Sequence, residues 1–216
     1  MKNYDYILFD FDGTIMDTGR GITNSVSYAI DKFGDSPLDM KELLKFVGPP
    51  LQDSFENICG YDKAKAERAV AVYREYYKAK GMLECSPYEG IEAVLEKLQS
   101  AGKKLVIATS KPEAFTKKIL DHYKLLQYFN FVAGATFDTT RTKKEQVIAY
   151  ALESCNIKDK SKVLMVGDRL YDIEGAKIND LDSMGVVYGF GSYEELKNAG
   201  ATYIGEKVTD IEKIIL

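Results

Sequence analysis

Four short groups of residues in this 216-residue chain hold most of the chemistry its side chains can do. Asp10-Phe11-Asp12-Gly13-Thr14 sets two carboxylates one residue apart beside a glycine turn. Thr109-Ser110 offers two hydroxyls, and Lys143-Lys144 offers two cations. Gly167-Asp168-Arg169-Leu170-Tyr171-Asp172 adds two more carboxylates. Taken singly, each group has a plain structural meaning: a polar strand end, a turn, or an N-cap, for which Ser110 and Thr142 are well suited. Taken together they conflict with one another unless something else is bound. Two carboxylates about 4 Å apart repel by about 4 kcal/mol at an effective dielectric near 20, so four on one rim call for a cation or a shared proton. A lysine in the first turn of a helix opposes the macrodipole, at roughly 0.3–1 kcal/mol, unless an anion lies between it and neighbouring helix N-termini. An oxygen-only donor set with few carboxylates suits magnesium better than zinc. The combination points to metal-assisted phosphoryl transfer.

The rest of the composition narrows the chemistry further. The single histidine, His122, lies in a stretch with helical periodicity and reads as a helix-surface residue. A histidine-based triad or a multi-histidine metal site is therefore excluded. Cys59, Cys85 and Cys155 are far apart and odd in number, which suggests reduced thiols packed in the core of a cytoplasmic protein. The net charge of -4 gives no basic field for a nucleic-acid polymer or an anionic membrane. No apolar run approaches a bilayer span, and the first residues do not open like a signal peptide.

These groups must be positioned by an α/β framework. Tyr6–Asp12 reads as a buried strand ending in acids and running into a turn at Gly13-Thr14, with further strands expected at 104–109, 131–134, 163–166 and 184–187. Helical patterns lie between them at 91–100, 113–123, 143–155 and 173–178. That alternation predicts a Rossmann-like parallel sheet with helices on both faces, and ligands of such sheets bind outside the carboxyl ends of the strands. The segment 16–83 differs, holding only helical patterns, among them 21–33, 39–46 and 63–80. In the last of these Ala66, Ala69, Val70, Tyr73, Tyr76 and Tyr77 share one face. It reads as an inserted all-α cap domain, leaving 1–15 and 84–216 as the core. Capping boxes are expected at Ser110–Glu113, Thr142–Glu145, Ser192–Glu195 and Thr209–Glu212.

In order along the chain, these four groups resemble the four motifs of the haloacid dehalogenase-like superfamily. The resemblance covers nearly the whole sequence. Phe46-Val47-Gly48-Pro49-Pro50-Leu51, Tyr188-Gly189-Phe190-Gly191-Ser192 and Ala199-Gly200-Ala201 are similar to its phosphoglycolate phosphatase and 5′-nucleotidase-like branch. It implies a magnesium-dependent phosphatase acting on a small-molecule phosphate ester. Asp10 would be the nucleophile and Asp12 the general acid and base. Asp10, the Asp12 backbone carbonyl, Asp168 and Asp172 would serve the metal, Asp172 directly or through water. Thr109 and Lys144, with Ser110, would hold the phosphoryl oxygens. The family's lysine motif often reads Lys-Pro, so Lys143 stays an alternative to Lys144, and Ser110 stands where many relatives have Asn. In the cap, Arg20, Lys45, Gly48 and Gln52 are candidates for substrate selection, with surface ion pairs or capping as their other reading.

Competing functions separate on the same residues. A dehalogenase needs no acid two residues after its nucleophile, so Asp12 argues against one. A phosphonatase needs a cap lysine in an apolar setting, and none is patterned that way. A phosphosugar mutase shares every core motif. A phospho-accepting regulatory domain would be smaller, lack the helical insert and keep its acceptor on a later strand. The motifs leave the physiological substrate open among phosphoglycolate, nucleoside monophosphates, sugar phosphates and pyrophosphate.

Overall fold

Short β-prone runs alternate with amphipathic stretches, and in the computed structural model, which describes residues 2–216, these become strands and helices. The chain divides into two compact units, Met1–Met16 with Pro87–Leu216, and Asp17–Ser86. Its elements are β1 (Tyr6–Phe9), β2 (Met16–Asp17), α1 (Gly19–Lys32), α2 (Met40–Leu44), α3 (Leu51–Cys59), α4 (Lys63–Ala79) and β3 (Ser86–Pro87). There follow α5 (Ile91–Ser100), β4 (Lys104–Pro112), α6 (Glu113–His122), β5 (Phe131–Ala135), α7 (Lys144–Ser154) and β6 (Val163–Gly167). The chain ends with α8 (Leu170–Ile178), β7 (Asp182–Val186), α9 (Tyr193–Ala199), β8 (Tyr203–Gly205) and α10 (Val208–Ile215).

The first unit is built on a parallel sheet of order β5-β4-β1-β6-β7-β8. Being fully covered, its central strands read as continuous apolar runs: Ile7, Leu8, Phe9, Leu105, Val106, Ile107, Val163, Leu164 and Met165 are all buried. One face is packed by α7, whose Val147, Ile148, Ala151 and Leu152 join Leu8, Val106 and Met165 in a single apolar cluster. Ile7, Phe9, Leu105 and Ile107 alternate onto the opposite face. The helices α5 and α10, which pack against each other, bury Ile91, Leu95, Ile211 and Ile215. Register matters most for function. Phe9, the last residue of β1, pairs with Ile107 of β4 and with Val166 of β6; β6 ends one residue later at Gly167, while β4 runs on to Pro112.

The second unit, Asp17–Ser86, holds α1 to α4, with Ala66, Ala69, Tyr73 and Tyr77 of α4 buried. It starts at Asp17 rather than 16 and runs to Ser86 rather than 83. The nine-residue helix α3 is additional to the expected elements. It begins directly after Pro49-Pro50, because proline is tolerated at a helix N-terminus, and Gly60 closes it in the left-handed region (φ 67°).

Several local expectations are corrected. Only Ser192 caps its helix as a capping box predicts, accepting from the Glu195 N–H. At α6 the strand β4 runs on through Lys111-Pro112, so Pro112, not Ser110, precedes the helix. At α7 it is Gln146 whose side chain reaches back to the Thr142 and Lys143 N–H groups. At α10 Asp210 does the same for Glu206 and Lys207. The strand expected at 184–187 lies at Asp182–Val186, and β8 extends the sheet beyond it.

Candidate active site

Because Phe9, Ile107 and Val166 are in register across β1, β4 and β6, the residues that follow them share one rim. Asp10 follows β1, with its N–H donating to Val166 O at 2.8 Å, and is 4% exposed. Asp168 follows β6 and is fully buried, and Asp172 lies one turn into α8, also buried. One carboxylate oxygen from each of Asp10, Asp168 and Asp172 lies within 4.8 Å of the others. Lys144, the first residue of α7, reaches into this group. Its Nζ lies 2.6 Å from Asp10 Oδ1 and 2.7 Å from Asp172 Oδ1, and donates to Ala108 O at 3.0 Å.

The charges do not balance. One ammonium faces three carboxylates, all removed from water. Burial, followed by the charges of Asp172 and Asp12, pushes the Asp10 carboxyl up to about 6 despite the opposing pull of Lys144. Burial and the charges of Asp172 and Asp10 push Asp168 well above the carboxylate range. Burial pulls Lys144 down, but Asp10 and Asp172 outweigh it and hold its ammonium firmly charged. Asp168 Oδ1 is buried with no hydrogen-bond partner. An orphaned carboxylate oxygen beside two other acids is an oxygen-donor set with spare negative charge, which fits a magnesium ion held by Asp10, Asp168 and Asp172.

Two close approaches build this rim. Gly13 has φ +81°, and a Cβ there would sit 2.1 Å from Asp168 Oδ2, so the turn after Asp10 requires glycine twice over. Gly167 leaves room for the Asp172 carboxylate, whose Oδ2 accepts from the Arg169 N–H at 3.0 Å.

Asp12 stands apart from the three-carboxylate group. Its oxygens are held by Lys111 Nζ at 2.8 and 3.0 Å, an ion pair in which both side chains are largely buried. Reading the sequence missed Lys111. The available signal was a lysine in the continuation of an apolar strand, immediately before a proline, where a solvated cation is out of place. Thr109 is buried on the same stretch, its Oγ1 accepting from the Lys111 N–H at 3.3 Å, while Ser110 is half-buried.

Among the remaining candidates, Lys143 is exposed, so α7 contributes Lys144 rather than Lys143 to the carboxylate group. Arg20, Lys45, Gly48 and Gln52 all belong to the helical unit. Lys45 pairs with Glu42 at 2.6 Å, and Gln52 donates to Glu56 at 3.0 Å. Gly48 has φ 110°, and Arg20 is exposed on α1. His122 is exposed at the end of α6, and Cys59, Cys85 and Cys155 form no disulfide and are half-buried rather than fully buried in the core.

The model of the haloacid dehalogenase-like hydrolases matches residues 7–186, which spans all four groups of the site. The chain belongs to that family. It is 38% identical over 212 residues to a 5′-nucleotidase of Pseudomonas aeruginosa, covering 98% of this chain and 96% of that protein. It is 34% identical over 204 residues to the tyrosine-protein kinase PtkA of Mycobacterium tuberculosis, covering 94% of this chain and 69% of that one. A crystal structure of a predicted phosphatase from Clostridium acetobutylicum superposes with a TM-score of 0.95 at 51% identity, covering 99% and 98% of the two chains. The family, its fold and this carboxylate rim make the chain a hydrolase of the phosphatase type. Among the described residues, no helix is long and apolar enough to cross a membrane.

Proposed function

We propose that this hydrolase is a magnesium-dependent phosphatase of small phosphomonoesters, phosphoglycolate- or nucleotide-like, working through an aspartyl-phosphate on Asp10. The observation that carries the reading is the position of Asp10. Its carboxylate lies against Lys144 and within reach of Asp168 and Asp172, with a second acid, Asp12, two residues further on.

Asp10 attacks phosphorus, forming an acyl phosphate as the ester P–O bond breaks. Asp12 gives a proton to the departing alkoxide, then takes one from the water that attacks the acyl phosphate. Inorganic phosphate leaves and Asp10 is regenerated as a carboxylate. Lys144, Thr109 and Ser110 hold the phosphoryl oxygens while their charge redistributes. A magnesium ion bound by Asp10, Asp168 and Asp172 supplies neutralisation of the phosphoryl charge. The helical unit Asp17–Ser86 acts as the cap, and Arg20, Lys45, Gly48 and Gln52 within it are its candidates for substrate selection.

The test is hydrolysis of p-nitrophenyl phosphate with magnesium and after EDTA, in the wild type and in Asp10→Asn. Activity that survives chelation, or survives in the variant, overturns the reading. A metabolite phosphate panel then assigns the ester. Release of phosphate from hexose phosphates without interconversion of their isomers separates a phosphatase from a mutase.

A further inference from the structure

The stretch between β7 and α9, Tyr188-Gly189-Phe190-Gly191-Ser192, wraps Asp168, the rim carboxylate that among the described residues pairs with no lysine. The Phe190 N–H donates to Asp168 Oδ2 at 2.7 Å, and Asp168 Oδ1 remains buried with no partner. The loop is pressed onto this residue by two glycines. A Cβ on Gly189 would lie 2.5 Å from Asp168 Oδ2 and 2.3 Å from Gly13 O, and one on Gly191 would lie 1.9 Å from Asp168 O. Tyr188 anchors the other end of the loop. Its hydroxyl donates to Thr14 O at 2.9 Å, and its ring meets Tyr88 edge-on at 4.9 Å between centroids. The loop is thereby tied to the turn that follows the nucleophile as well as to Asp168.

We propose that the loop Tyr188–Ser192 is a backbone clamp that fixes the orientation of Asp168 through Oδ2 and presents its unpartnered Oδ1 to a cation, so setting the site's preference for magnesium over calcium. The reasoning is coordination chemistry. Calcium takes six to eight oxygens and readily accepts both oxygens of one carboxylate, whereas magnesium takes six at shorter range and is content with single oxygens and water. A carboxylate with one oxygen held by a backbone N–H keeps a lone pair on that oxygen, but its orientation is fixed, so turning both oxygens onto one cation works against that bond. Hydrogen bonds behind a ligand also fix its orientation, and losing such a partner typically weakens metal binding 10- to 100-fold. The inference rests on the magnesium site of the proposed function and concerns how that site selects its ion.

The experiment is calorimetric titration of the metal-free, full-length protein with magnesium chloride and separately with calcium chloride. It compares the wild type with Gly189→Ala, which forces the loop off Asp168, and with Tyr188→Phe, which only unties its anchor. Circular dichroism checks that each variant is folded. The wild type is expected to bind magnesium more tightly than calcium. Gly189→Ala is expected to lose about tenfold or more in magnesium affinity with a smaller loss for calcium, and Tyr188→Phe to shift the ratio the same way by a few-fold. An unchanged magnesium-to-calcium ratio in the folded variants overturns the clamp; if Gly189→Ala does not fold, Tyr188→Phe decides alone. A wild type that binds no magnesium overturns the metal part of the proposed function itself, an outcome distinct from failure of the clamp.

Discussion

Lys111 Nζ sits between the two carboxylate oxygens of Asp12, 2.8 Å from one and 3.0 Å from the other, in a pocket that leaves both side chains nearly out of solvent. The phosphatase reading gives Asp12 the proton transfers, so the residue that aims it influences turnover directly. Removing one partner of a buried pair strands the other as an uncompensated charge. Lys111→Met is therefore expected to destabilise the protein by roughly 3 kcal/mol in urea unfolding and to lower kcat by about 10- to 100-fold. Adding Asp12→Asn to that variant should cost less than Asp12→Asn costs the wild type, because the two residues are coupled. Full additivity of the two kcat losses would show that Lys111 works independently of Asp12.

Gly13→Ala should be more damaging than any other single methyl added to the rim. It places a Cβ on the Asp168 carboxylate and demands a backbone conformation that alanine disfavours. Loss of phosphatase activity by at least about 100-fold is expected, as for a misplaced catalytic group, with magnesium affinity falling in parallel. An active Gly13→Ala enzyme would mean that the turn relaxes freely.

Without metal, stability should depend on pH through Asp10. Its carboxyl titrates at about 6 in the folded protein, against about 3.9 when unfolded. Between those values the folded state binds the extra proton, so stability falls as pH rises from about 4 to about 6. The loss attributable to Asp10 is at most about 3 kcal/mol. Asp10→Asn should flatten this slope in EDTA-treated protein, and magnesium at pH 7 should raise the melting temperature of the wild type. Identical pH slopes for wild type and variant would contradict the assignment.

The opposite sign is expected at the far end of the sheet. Asp182 accepts from Lys2 Nζ at 2.7 Å and Tyr4 Oη at 2.8 Å. Burial pushes its carboxyl up, but those two hydrogen bonds outweigh it and hold the group below its ordinary value. The stabilisation is thus present above the unfolded value of about 3.9 and lost as pH falls through the folded one. Asp182→Asn should cost about 1 kcal/mol near pH 6, and the gap to wild type should close in acid. Chemical denaturation at the two pH values measures it.

The parts of the molecule legible from sequence were those with one dominant cause. Runs such as Leu105–Ala108 and Val163–Val166 are buried on both faces, so their apolar continuity announces central parallel strands. Asp10, Asp168 and Asp172 stood out because acids at strand ends require an explanation. Features decided by competition were harder to read. Both Ser110 and Pro112 can precede a helix, and strand pairing of β4 as far as Pro112 with Ala135 decided between them. Both Glu145 and Gln146 could close a cap, and the true start of α7 at Lys144 selected the glutamine. Lys111 stayed hidden because its partner, Asp12, is distant in sequence and joins it only when β1 and β4 pair. No local pattern encodes that contact.

The strand order carries a kinetic consequence. β1 lies between β4 and β6, and the three strands come from well-separated parts of the chain. Asp10 therefore meets Lys111's strand and Asp168 only after two long loops have closed, and loop closure of that kind slows folding in proportion to its entropy. Refolding enzyme should regain turnover late, in the same phase that protects the central amides from exchange, after the local helices have already formed. Catalysis is in that sense an assay of the finished sheet, and no fragment of the chain that lacks β4 or β6 can assemble it.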